Sequence, residues 1–348
     1  MPKKTVEEDS LNNIVEQFGL KMIDCCNCRR IWRVKTDLGF KYLKKTKLSA
    51  ADLWFVHEAL QYLHRNSFPH TPTLLCSKTG EPFVNTDNGI FILTDWFFGV
   101  ELDFGTLMDL RAASRFLAEF HQKSSGFFPS QPNESRTCWL KWPVKLENRL
   151  TELQDFFRLA NAEKESSHFS RLYLRNFEPF YRQAVTSYEA LLKSPYRTIA
   201  EDGLRQRSFC HHDYSGRNLL RTYLNCIFLV DFDYCLLDLR IHDLINLLVR
   251  NLKHNGWNPD IGDFILNEYQ QVIKLTQEEL EVMSILLSWP QDFWQVGLQY
   301  YYEKLPWSKE RFLRKLEHKI DCRLARNKFL DEFNKRIYKN QIPRPLKG

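Results

Sequence analysis

His211-His212-Asp213-Tyr214-Ser215-Gly216-Arg217-Asn218, followed after an apolar run by Asp231-Phe232-Asp233, is the stretch on which the reading of this chain turns. Ser208-Phe209-Cys210 leads into the first segment and Ile227-Phe228-Leu229-Val230 into the second, so each set of acids follows a short strand-like run. Such runs deliver carboxylates to the edge of a core. A carboxylate there needs a cation, a proton or hydrogen bonds, because burying it unpaired is costly. Phosphoryl transfer gives a reason for the whole set. It needs a divalent metal to neutralise phosphate charge, and Mg²⁺ accepts one or two carboxylates plus other oxygen donors. It also needs a carboxylate to orient the attacking hydroxyl. Asp213 fits that base, and Asn218 and Asp231 fit the metal ligands, with Asp213 and Asn218 on one tight loop.

Upstream of these segments, Ile31–Thr36 and Phe40–Lys44 flank Asp37-Leu38-Gly39, which predicts a hairpin. Residues 7–18 and 50–65 read as helices, the second with Leu53, Val56, Leu60 and Leu63 on one stripe. Gly89–Leu93 reads as an apolar strand, left through Thr94-Asp95-Trp96-Phe97-Phe98-Gly99. Beyond it, helical spacing dominates at 107–121, 144–160, 171–193, 242–252, 260–273, 277–288, 291–304 and 308–338. The pattern predicts a sheet-rich lobe over residues 1–95 and a larger, mainly helical lobe over 96–348, an α+β architecture.

Composition narrows the classes. With 43% hydrophobic residues and only 13 Gly and 14 Pro in 348, the chain can bury a large core, which excludes disordered and low-complexity readings. No apolar run approaches the length of a membrane span, and the polar start MPKKTVEEDS has no signal-peptide core, so synthesis in the cytoplasm and no membrane partner are expected. Cys25, Cys26 and Cys28 could begin a zinc site, but no second ligand pair has the usual spacing, and reduced thiols in a loop or strand are the ordinary alternative. Residues 301–348 hold 14 Lys and Arg against 6 Asp and Glu. Interleaved acids favour a solvated helix face there over a nucleic-acid surface, and no nucleic-acid partner is expected.

His211-x-Asp213-x4-Asn218 with Asp231-Phe232-Asp233 resembles the motif and metal-binding aspartate of the aminoglycoside phosphotransferase and choline kinase superfamily. Tyr42-Leu43-Lys44, Asp95-Trp96-x-x-Gly99, Leu117-Ala118-x-Phe120-His121 and Arg240-x-His242-Asp243-Leu244 resemble, more narrowly, the CotS-type bacterial spore coat proteins, of the spore coat protein I kind. The resemblance spans nearly the whole chain. It implies a two-lobed protein-kinase-like fold and an ATP- and Mg²⁺-dependent transfer of phosphate to the hydroxyl of a small molecule. It also implies a protein made in the mother cell and placed in the spore coat, with other coat proteins as partners. A coat component that keeps the fold without catalysis is the alternative.

Residue by residue, the resemblance implies that Lys44 grips the nucleotide phosphates, with Lys41 and Lys45 as rivals because a one-residue slip reverses the face. Glu58 matches the helix glutamate that aligns that lysine, although an exposed Glu is the ordinary alternative. Thr94, Asp95, Trp96 and Phe97 match the hinge whose backbone meets adenine. His211 and Asp243 match residues that support the loop, and Asp233 a second metal or loop contact. His212 stands where relatives commonly have Gly. No glycine-rich loop precedes the hairpin. The equivalent stretch is Asp24–Arg30, where Arg29 or Arg30 either holds phosphate or is surface charge. Trp139, Trp142, Trp257, Trp289, Trp294 and Trp307 either line an acceptor pocket or pack the core.

Overall fold

The computed structural model describes residues 6–28, 31–165 and 167–338. By contacts the chain divides into two compact units that interleave in sequence, residues 1–137 with 207–237, and residues 138–206 with 238–348.

The first unit begins with α1 (Val6–Gln17) and a five-stranded antiparallel sheet of order β1-β2-β3-β5-β4. Its strands are β1 (Met22–Cys28), β2 (Ile31–Thr36), β3 (Gly39–Thr46), β4 (Val84–Thr86) and β5 (Gly89–Asp95). Helix α2 (Ala50–Arg65) is inserted between β3 and β4. Ser49 caps it in a reciprocal box with Asp52, and the predicted stripe of Leu53, Val56, Leu60 and Leu63 is buried. On the sheet, Leu43 and Leu93 pair in register with no solvent exposure, and α1 closes the core through Leu11, Ile14 and Val15. Strand alternation therefore turns Tyr42 and Lys44 to the opposite face.

The expected loop at Asp24–Arg30 is corrected. Asp24 to Cys28 belong to β1 and pair with Lys35 to Ile31 of β2, while Arg29 and Arg30 lie outside the described residues. Cys25 packs toward the sheet core, whereas alternation puts Cys26 and Cys28 on the other face, so the three thiols do not converge.

The rest of this unit is β6 (Val100–Glu101), α3 (Leu107–Ser124), β7 (Phe209–Cys210), β8 (Leu219–Arg221), β9 (Ile227–Leu229) and β10 (Leu236–Leu237). These strands form a three-stranded sheet, β6-β8-β9, and a pair, β7-β10.

The second unit is helical: α4 (Trp142–Glu163), α5 (His168–Lys193), α6 (Tyr196–Gln206), α7 (Ile241–His254), α8 (Pro259–Gln270), α9 (Gln277–Ser288), α10 (Gln291–Gly297), α11 (Lys309–Asp321) and α12 (Arg323–Tyr338). The helix expected over 291–304 passes into a π-helical turn at Leu298–Tyr302, and the one expected over 308–338 breaks at Cys322. Trp139, Trp257, Trp289 and Trp294 are buried here as core, and Trp142 stacks on His242 at 4.0 Å. The fold thus combines a small antiparallel sheet with a larger, mainly helical part. No helix among the described residues is long and apolar enough to cross a membrane.

Candidate active site

A cavity of about 340 Å³ opens within the first unit. β3 contributes Tyr42 and Lys44, and β5 contributes Ile92 and Thr94 on the same face, as their register requires. Asp95, Trp96 and Phe97 continue the wall where the chain leaves β5. Leu53, Val56 and Leu60 of α2, with Leu74, make an apolar lining, and Val230 to Asp233 close the far side. A mostly apolar slot with a few convergent charges suits a flat heteroaromatic ring joined to a charged tail.

The charges converge on Lys44. Its Nζ lies 2.7 Å from Asp231 Oδ1 and 2.8 Å from Asp233 Oδ2. Burial works against the ammonium charge, but Asp233 and Asp231 outweigh it and hold the pKa of Lys44 above the ordinary lysine value. Burial also pushes the Tyr42 phenol up to about 12; Lys44 opposes that rise, and Asp231 and Asp233 add to it. Of the two rival lysines, Lys41 pairs with Asp95 at 2.5 Å, and Lys45 is exposed with its stem against Gly89.

Asp213 and Asn218 sit on the loop between β7 and β8. Asn218 Nδ2 donates to both the carbonyl and the Oδ2 of Asp213, at 2.8 and 3.0 Å. Gly216 passes so close to the Leu102 carbonyl that a β-carbon there would collide with it. Two bonds join this loop to the Asp231 segment. His211 Nε2 bonds the Val230 carbonyl at 3.0 Å, and the Val230 amide donates to the Asn218 carbonyl at 2.9 Å. The Asp213 amide donates to His211 Nδ1 at 3.2 Å, so the pattern fits the imidazole with its proton on Nε2. His212 has φ of 62°, in the left-handed region that favours glycine.

The structure thus brings Asp213, Asn218 and Asp231 onto two hydrogen-bonded neighbouring segments, with Lys44 and Asp233 at the second. Glu58 is placed elsewhere. Its Oε2 accepts from the Ser130 amide at 2.8 Å, its Oε1 accepts from the Ser130 hydroxyl, and no Lys44–Glu58 ion pair occurs among the described residues. Asp243 is fully buried in the first turn of α7, in the second unit. Two further residues line the cavity without a role expected from the sequence: Arg217, whose signal is its place inside the quoted loop, and Tyr42, which shares the Lys44 face by strand alternation.

The donor chemistry fits a hard divalent cation. Asp231 and Asp233 present two carboxylates against the single charge of Lys44, and the cavity wall as a whole carries Asp95, Glu101, Asp231 and Asp233 against Lys44 and Arg217. Carboxylate and amide oxygens suit Mg²⁺ better than a thiophilic metal.

The family described as Spore coat putative kinase YutH matches residues 11–333. Spore coat protein S of Bacillus subtilis (strain 168) is 27% identical over 309 residues, covering 87% of this chain and 86% of that protein. Among solved structures, an aminoglycoside phosphotransferase from Alicyclobacillus acidocaldarius superposes with a TM-score of 0.79 at 17% identity, over 97% of this chain and 98% of that one. Spectinomycin phosphotransferase APH(9)-Ia, in its AMP-bound complex, gives 0.65 at 13% identity, over 91% and 97%. Choline kinase LicA from Streptococcus pneumoniae gives 0.51 at 11% identity, over 91% and 99%. The fold is therefore that of the aminoglycoside phosphotransferases.

Proposed function

The chain belongs to this YutH family of spore coat proteins, and on that premise we propose that its cavity binds ATP with Mg²⁺ and transfers phosphate to the hydroxyl of a small molecule, in a protein placed in the spore coat. The observation that carries the reading is the convergence of Lys44, Asp231 and Asp233 at one end of a cavity whose other wall is Thr94 to Phe97.

In this reading the backbone at Thr94–Phe97 receives the adenine edge, and the aliphatic side chains of α2 exclude water from its faces. Asp231 and Asn218 hold Mg²⁺, with Asp233 in support, and the ion supplies neutralisation of the phosphate oxygens. Lys44 turns its ammonium to the phosphates. Asp213, held by the Asn218 amide, accepts or orients the proton of the acceptor hydroxyl. His211 fixes the loop to the Asp231 segment, so base and metal ligand keep a constant spacing. In the related complexes, APH(9)-Ia carries AMP in one structure and ADP with spectinomycin in another, which supports a nucleotide in the corresponding fold.

One observation favours the second reading, a coat component that keeps the fold without catalysis. Glu58 is held by Ser130, leaving Lys44 to two carboxylates. Thermal melting with ATP plus Mg²⁺ separates the two readings. The catalytic reading expects a rise in Tm for the native chain that shrinks in Asp231→Ala; no rise in the native chain favours the silent component.

A further inference from the structure

Asp231 has φ of 64° and ψ of 70°, a left-handed conformation that is unfavourable for a non-glycine residue and persists only where neighbours hold it. Upstream, Val230 is fastened through its carbonyl to His211 and through its amide to Asn218. Downstream, the turn is fastened by Arg136, a residue only 5% exposed. Arg136 Nη1 donates to the carbonyls of Asp233 and Cys235, at 2.7 and 2.9 Å. Its Nε donates to Asp52 Oδ1 at 2.8 Å.

Asp52 is itself tightly held. It is the third residue of α2, closes the capping box with Ser49, and accepts from the Ser135 hydroxyl at 2.7 Å. A buried guanidinium is stable only when its donors meet acceptors in fixed directions, and its planar fork makes it a rigid spacer between them. One side chain therefore joins the start of α2 to the turn that carries Asp231 and Asp233. Lys44 meets those same two carboxylates from the sheet side.

We infer that Arg136 is a positioning residue that, anchored on Asp52, holds the Asp231–Cys235 turn so that its carboxylates face the cavity. The inference deepens the reading above and rests on it for the identity of the cation. Arg136 touches neither nucleotide nor metal in this role. It acts through two backbone carbonyls, as groups around metal ligands commonly do.

The test uses the full chain and two readouts. The first is the Mg²⁺ concentration that gives half of the ATP-dependent rise in Tm. Arg136→Gln is expected to raise it about tenfold, the scale on which such supporting groups act, and Arg136→Lys to recover part of the loss. A residue that only stabilised the fold would lower the starting Tm and leave that midpoint unchanged. The second readout is amide hydrogen exchange without ligand. Arg136→Gln is expected to speed exchange at residues 232–235 about tenfold while protection within α3 stays native, the pattern of local opening. Should Arg136→Gln fail to fold, Asp52→Asn removes the charge of the anchor and leaves the arginine, and the same two changes are expected at smaller size. An unchanged midpoint together with unchanged local exchange overturns the inference. A native chain that shows no ATP- and Mg²⁺-dependent rise overturns the proposed function instead, and the exchange comparison then decides the role of Arg136 alone.

Discussion

Lys44 Nζ and Asp231 Oδ1 lie 2.7 Å apart although 187 residues separate them in the chain. β3 supplies the lysine and the turn after β9 supplies the aspartate, and Asp233 completes the group from the same turn. Two carboxylates this close to one ammonium form a cluster with a net negative charge. Lys44 neutralises half of the charge of the two carboxylates, and a divalent ion matches all of it. Lys44 thus neutralises part of the carboxylate charge in the chain without a ligand, and in the proposed function Asp231 and Asp233 would face the cation.

Removing the lysine tests that double role. Lys44→Met leaves Asp231 and Asp233 facing each other with no cation, a partly buried repulsion of about 1–3 kcal/mol after solvent screening. The variant is expected to melt below the native chain in metal-free buffer. Millimolar Mg²⁺ without nucleotide should raise its Tm more than that of the native chain, because the ion replaces the lost charge. Equal responses to Mg²⁺ in the two proteins refute the cluster as a cation site.

Asp213→Asn separates chemistry from binding. The change keeps size and preserves an acceptor for Asn218 Nδ2, so the loop is expected to stay folded. It removes the group proposed to take or orient the hydroxyl proton. Loss of a positioned base typically costs 10²–10⁴ in rate, so ATP turnover should fall by about that factor. The Mg²⁺- and ATP-dependent rise in Tm should be retained. ADP formation from ATP at the native rate by the variant rules out the role given to Asp213.

Much of this site was legible because its signals are local. The spacing of Asp213 and Asn218, the apolar run before each acid, and the Leu53, Val56, Leu60 and Leu63 stripe of α2 are each written in neighbouring residues. Strand alternation around Leu43 then separates Lys44 from Lys45 once the buried face is known, which the sequence alone leaves open because Lys41, Lys44 and Lys45 crowd one strand. Partners remote in sequence were not legible. Nothing near Glu58 announces Ser130, and nothing near Arg136 announces the carbonyls of Asp233 and Cys235, since a carbonyl is present at every residue. The sequence of Asp24–Cys28 reads as loop because its exposed polar residues and small thiols carry little alternation. Its pairing with β2, rather than an apolar face of its own, makes it a strand.

Gly216→Ala probes how closely the loop must approach β6. A β-carbon at this position meets the Leu102 carbonyl, which is backbone and cannot rotate away. Overpacking of this kind costs about 1–3 kcal/mol, so the variant should lose that much in urea unfolding. The displacement would also stretch the Asn218–Asp213 bonds, so ATP turnover should fall by more than the lost stability explains. Wild-type stability in this variant contradicts the backbone path assigned to the loop.

The acid limb of the stability curve should report Asp52. Burial pushes its carboxyl up, but hydrogen bonds from Arg136, Ser135 and Ser49, with the Arg136 charge, overcome this and hold it well below the usual carboxylate range. The folded pKa is depressed, so the unfolded chain binds this proton first as pH falls. The stabilisation is complete above the unfolded pKa of about 3.9 and disappears progressively below it. Asp52→Asn abolishes the titration. The variant should be the less stable protein at pH 6, and the gap should narrow as pH falls below about 4, because only the native chain then loses this term. Urea melts at pH steps between these limits measure the gap directly; a gap that stays constant or widens toward acid shows that the Asp52–Arg136 pair does not carry the charge described.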